Sequence, residues 1–140
     1  MRLWHYLLIP YLPNSQLIAQ WRELHSIFKK EDRHILINYV YEYPKENLGK
    51  YTALVIEEML KRGFKPSEKS MKQVETYFSS CDNKTKSLEK NPFPRDHTSH
   101  YMRQCFYNLQ EKYDRGQKDF DMDTYINLFE FVKDRIAVVI

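Results

Sequence analysis

Beyond the prolines at positions 10 and 13, apolar residues return at helical intervals. Leu17, Ile18, Trp21, Leu24 and Phe28 form one stripe along NSQLIAQWRELHSIFKK, residues 14–30, and predict an amphipathic helix. Asn14 or Ser15 is placed to cap it. Ala19, Glu23, Ser26 and Lys30 fall on the opposite, polar side. Glu23 therefore stands between two small residues, with room for another group to approach its carboxylate. The plainer reading is a solvated face.

The period then changes. In RHILINYVYEYP, residues 33–44, Ile35, Ile37, Tyr39, Tyr41 and Tyr43 alternate with other residues. This predicts an extended segment with one buried side. No partner strand is evident, so a sheet is not expected. Helical spacing resumes in ENLGKYTALVIEEMLKRG, where Leu48, Tyr51, Leu54, Val55 and Met59 supply the inner face. Lys61 and Arg62 suit the negative end of that helix, and Gly63 is a natural C-cap. Residues 67–80 predict a shorter helix. Residues 81–95 (CDNKTKSLEKNPFPR) predict a loop carrying Lys84, Lys86, Lys90 and Arg95. A third long helix runs through TSHYMRQCFYNLQEKYDRG, its core side lined by Tyr101, Met102, Cys105, Phe106, Leu109 and Tyr113 and its end marked by Gly116. Asp121 or Asp123 caps a last helix. The expected fold is mainly α: a single compact domain over residues 1–140, with about three long helices, shorter helices and an extended segment.

The opening MRLWHYLLIP joins a basic residue to a short apolar run, as an export signal does. His5, Tyr6, Pro10 and Pro13 interrupt it, and no small-x-small cleavage pattern follows. Nowhere do roughly 18 apolar residues run together, so no membrane partner is expected. The opening is expected to belong to the folded, cytoplasmic protein. Composition adds little: 140 residues, 42% hydrophobic, suit one modest core, and a formal charge of +3 is compatible with a polyanion without requiring one. Cys81 and Cys105 lack metal-type spacing and read as reduced thiols.

Candidate chemistry is sparse. His97 and His100, three apart, could share a metal, but two ligands do not make a site and capping or surface roles are simpler. With three glycines there is no phosphate-cradling loop. The eleven tyrosines are mostly core or interface material, with exposed ones able to stack on bases. Pattern alone stops at a small, soluble, slightly basic α domain.

Three stretches carry more. QLIAQWREL (16–24), EEMLKRGF (57–64) and NLQEK (108–112) stand in order, and the chain opens with MRLWHYLLIPYLP (1–13). Together they resemble the helices of the pyrimidine-dimer DNA glycosylase (phage endonuclease V-like) family, best over residues 1–64, with the opening similar to a bacterial branch. The resemblance implies a DNA repair glycosylase with an associated abasic-site (β-elimination) lyase activity. It would act on pyrimidine dimers or related lesions in double-stranded DNA, as a monomer, without cofactor or metal. In that family the nucleophile is the N-terminal α-amine, assisted by a glutamate on the first helix. Here these would be Met1, which Arg2 keeps in place because methionine is trimmed before small residues, and Glu23.

The chemistry suits such residues. α-Amines as a class titrate at about 7.7–8.0, so a fraction is neutral near pH 7, whereas a lysine needs burial to match. A carboxylate manages protons and steadies a cationic sugar. Arg2, Arg22, Lys84, Lys86 and Lys112 would contact DNA, Arg22 in bidentate fashion, and the nucleotide would be flipped out to reach the site. Two other readings stay open: a non-catalytic nucleic-acid-binding domain of the same fold, and a protein-interaction domain indifferent to DNA.

Overall fold

The computed structural model describes residues 1–31, 33–81 and 90–136. Five α-helices lie within them: α1 (Asn14–Lys30), α2 (Lys45–Lys61), α3 (Glu68–Tyr77), α4 (Ser99–Asp114) and α5 (Met122–Val132). Two 3-10 helices, Tyr6–Tyr11 and Asn38–Glu42, complete the regular structure, with no strand among the described residues. The mainly α expectation holds.

Apolar side chains sort into two clusters. One packs α1 against α2, using Leu17, Trp21 and Leu24 with Leu48, Tyr51 and Val55, and α3 closes it with Met71, Val74 and Tyr77. The other packs α4 against α5, through Met102, Phe106, Leu109, Leu128 and Val132. The N-terminal segment runs between them. Leu3 and Ile9 enter the first cluster, while Trp4, Leu8 and Leu12 enter the second. Leu3 and Leu8 are wholly buried, so the apolar opening is core, as expected. Arg62, from the end of α2, anchors the turn that follows. Its guanidinium donates to the carbonyls of Leu12 at 2.7 Å and Pro10 at 3.1 Å and to Asn14 Oδ1 at 3.0 Å.

Helix ends follow local chemistry in most places. Asp121 caps α5 by accepting from the Thr124 N–H at 2.8 Å. Gly63 takes φ +86° after α2, and the Phe64 N–H reaches back to the Met59 carbonyl at 2.9 Å, closing a Schellman turn. The start of α1 departs from expectation. Its N-cap is Pro13, which offers no side-chain cap, and Asn14 is already helical. The free N–H of Ser15 is satisfied from a distance, by Asp119 Oδ2 at 2.6 Å, with the Ser15 hydroxyl on Oδ1 at 2.8 Å.

The expected extended segment is a second correction. Residues 38–42 form a 3-10 turn, and burial falls on Ile37 and Val40, three apart, while Ile35 is 86% exposed. With no neighbouring strand to pair its backbone, the segment closes its own short-range bonds: Ile37 N–H to His34 O at 2.8 Å and Val40 N–H to Ile37 O at 3.0 Å. The tyrosines that suggested alternation serve as anchors. Tyr39 Oη lies 2.7 Å from His97 Nε2, and Tyr43 donates to Asp96 Oδ2 at 2.8 Å.

Candidate active site around the N-terminus and α1

The segment Arg2–His5 has no regular backbone partner, so side chains satisfy it. Gln20, completely buried on α1, does most of this. Its Oε1 accepts from the Trp4 N–H at 2.8 Å, and its Nε2 donates to Arg2 O and to Glu23 Oε2, both at 3.0 Å. Tyr51 shares its single hydroxyl proton between Trp4 O at 2.7 Å and Gln20 Oε1 at 2.8 Å. Tyr101 donates to Leu3 O at 2.6 Å. Three successive carbonyls, of Arg2, Leu3 and Trp4, are thus held by side chains from α1, α4 and α2. Such a clamp fixes where the chain's amino end emerges.

It emerges at Glu23. A cavity of about 250 Å³ has Met1, Arg2, Trp4, Ala19, Glu23 and Lys112 among its lining residues, together with Gln16, Leu36 and Asn108. Ala19 gives the room anticipated on one side of the carboxylate, whereas Ser26 opens elsewhere. Burial raises the Glu23 pKa above its ordinary 4.5; the positive amine of residue 1, the Arg2 backbone N–H, Lys112 and Gln20 pull it partly back. The result is a half-buried carboxylate, more basic than a surface glutamate, facing an amine and an ammonium across a small cavity.

The other anticipated residues scatter. Arg2 lines the cavity, but its guanidinium lies 5.7 Å from the Tyr101 ring centroid and hydrogen-bonds the Tyr101 hydroxyl. Arg22 is exposed and opens onto a neighbouring groove with Ser26, Lys29, Ser70 and Gln73. Lys84 and Lys86 lie outside the described residues.

His97 and His100 part company: His97 is buried and His100 exposed. His97 Nδ1 accepts from the Tyr6 N–H at 3.1 Å, so the neutral ring carries its proton on Nε2, towards Tyr39. Burial pushes the His97 pKa down to about 2, helped by the neighbouring His5, and pushes His5 down to about 4. This pair braces the N-terminal segment. No cluster of three or more potential metal ligands occurs among the described residues.

Residues 1–72, just over half of the 140, match the family model described as pyrimidine dimer DNA glycosylase. The chain belongs to the pyrimidine dimer DNA glycosylase family. The match spans the N-terminal segment, α1, α2 and the first half of α3, and so takes in Met1, Gln20, Arg22 and Glu23. No curated protein and no solved structure matches the chain. Among the described residues, no helix is long and apolar enough to cross a membrane.

Gln20 is a site residue that the sequence did not single out. It was missed because glutamine is normally a surface residue, yet it sits three after Leu17 and four before Leu24, on the apolar stripe. A polar amide in that register is the signal that could have found it.

Proposed function

We propose that the protein is a DNA glycosylase with abasic-site lyase activity on damaged double-stranded DNA, using the Met1 α-amine as nucleophile and Glu23 as its acid–base partner. The supporting observation is the small cavity that Met1, Glu23 and Lys112 share.

In this reading the neutral amine attacks C1′ of a flipped nucleotide. The glycosidic bond breaks and its electron pair leaves with the base. Glu23 takes the proton that the amine sheds, and its raised pKa suits it to that task; the departing base is protonated by water. Glu23 then passes its proton to O4′ as the C1′–O4′ bond breaks, which opens the sugar ring and leaves an iminium between C1′ and the amine nitrogen. Ionised once more, Glu23 takes a C2′ proton, and the electron pair of that C–H bond expels the 3′ phosphate and cuts the strand. Lys112 stands where it can neutralise a phosphate beside the lesion.

The test is borohydride trapping on duplexes carrying a pyrimidine dimer or an abasic site, with the attachment located by mass spectrometry. The expected adduct is at Met1 with dimer DNA, and it is lost in Glu23→Gln. An adduct confined to abasic DNA leaves a lyase without dimer excision. Attachment at Lys112 moves the nucleophile. No adduct with either DNA, despite salt-sensitive binding, overturns catalysis and leaves a DNA-binding domain.

A further inference from the structure

A second feature lies away from Glu23. A groove of about 790 Å³ opens between the C-terminal end of α1, the start of α2 and one face of α3. Four lysines converge on it: Lys29, Lys45, Lys69 and Lys72. Phe28 and Tyr77 form its apolar wall, and Glu68 is the single acid among its lining residues. Four lysines less one glutamate leave an excess of three positive charges around it.

The lysines are placed by the fold. On α3, Met71, Val74 and Tyr77 turn to the core, which leaves Lys69, Lys72, Gln73 and Thr76 on the adjacent face. Lys45 lies against the Tyr77 ring, 4.2 Å from its centroid, and bonds the Tyr77 carbonyl at 3.2 Å. Lys29, Lys69 and Lys72 are exposed and make no ion pair among the described residues. Like charges gathered round a concave surface repel one another, and an anion relieves that cost.

The groove is also continuous with the α1 surface beside the candidate active site. Arg22, next to Glu23 in the chain, lines a smaller groove that shares Lys29 and Gln73 with the large one. From Glu23 to Lys29 the helix advances about 9 Å, roughly the rise of two to three nucleotides of duplex.

We propose that the groove formed by Lys29, Lys45, Lys69 and Lys72 binds the phosphodiester backbone of the DNA on one side of the lesion, so that the protein grips its substrate asymmetrically. This rests on the proposed action on DNA. The chemistry recognised is a run of phosphates, without base readout.

The experiment uses Glu23→Gln protein as the reference and measures its binding to abasic-site duplexes across a salt series. Two further duplexes are shortened on either the 5′ or the 3′ side of the lesion. Adding Lys69→Ala and Lys72→Ala is expected to weaken binding roughly tenfold at moderate salt and to lower the slope of log K against log salt by about 2. Shortening one flank should cost the reference protein affinity but leave the lysine variant unmoved; shortening the other flank should cost both equally. Lys118→Ala, outside the groove, serves as the control, and circular dichroism confirms the fold of each variant. An unchanged slope in the lysine variant, or equal sensitivity to both flanks, overturns the groove as a DNA contact while leaving action on DNA intact. Failure of the reference protein to bind any duplex overturns the underlying reading as well.

Discussion

Glu23 and Gln20 are one helical turn apart and depend on each other. Burial is the leading influence on Glu23, and it raises the pKa. A carboxyl whose folded pKa exceeds its unfolded value contributes less stability as pH rises through that range. Glu23→Gln should therefore melt at or above the wild-type temperature at pH 7 while losing activity, as thermal denaturation beside a trapping assay would register. In the wild type, one fall of kcat/KM on acidification belongs to protonation of the amine nucleophile, and the one that belongs to Glu23 should lie above 4.5, because the reaction needs its ionised form. Gln20→Ala should behave in the opposite way to Glu23→Gln. It strips the Trp4 N–H of its buried acceptor and Tyr51 of one partner, at a cost of roughly 2–4 kcal/mol in denaturant unfolding. Gln20→Glu keeps an acceptor for the Trp4 N–H but loses the donor to Arg2 O and Glu23 Oε2, and it sets a second carboxyl beside Glu23, which should move the fall in kcat/KM that belongs to Glu23 to still higher pH.

At the level of elements, Arg62 acts as a remote cap. It collects carbonyls at the end of the first 3-10 helix that have no helical partner. Arg62→Ala should cost about 1.5–3 kcal/mol in a urea titration, and Arg62→Lys should recover only part of it, because an ammonium lacks the planar fork. The same feature shows what the sequence made legible. The stripe of α1 was correct at Leu17, Trp21 and Leu24, and the ends of α2 and α5 were correct at Gly63 and Asp121, because each is settled within a few residues. Ile27 and Gln20 were missed: the inner face of α1 is wider than its clearest apolar stripe. The segment 33–44 was misread because Tyr39 and Tyr43 answer to His97 and Asp96, over 50 residues away. Asp119 standing in as the cap of α1 is likewise a long-range fact. Of the site, Met1, Glu23 and Lys112 came from the family resemblance, while the side chains that clamp Arg2, Leu3 and Trp4 carry no local signature.

For the molecule as a whole, the two clusters meet at His5 and His97, whose rings stack 5.3 Å apart. Both are buried and neutral, with pKa values pushed down to about 4 and about 2 from 6.5. The unfolded chain takes up these protons below pH 6.5 and the native state resists. Stability is thus fully present above 6.5 and falls with acidification, by about 1.4 kcal/mol per pH unit for each histidine. Urea midpoints at pH 7 and pH 5 should differ accordingly, and His97→Asn, though less stable at pH 7, should flatten the dependence. The clamp on the N-terminal segment also imposes an order in time. Tyr6 and Leu3 find their partners at His97 and Tyr101, separations of 91 and 98 residues. At ribosomal speeds of about 5–20 residues per second, those partners follow roughly 5–20 s later. Until α4 leaves the ribosome, an apolar strip containing Trp4, Leu8 and Leu12 has nowhere to go, and a chaperone that covers it during synthesis would be guarding the very segment on which the site is built.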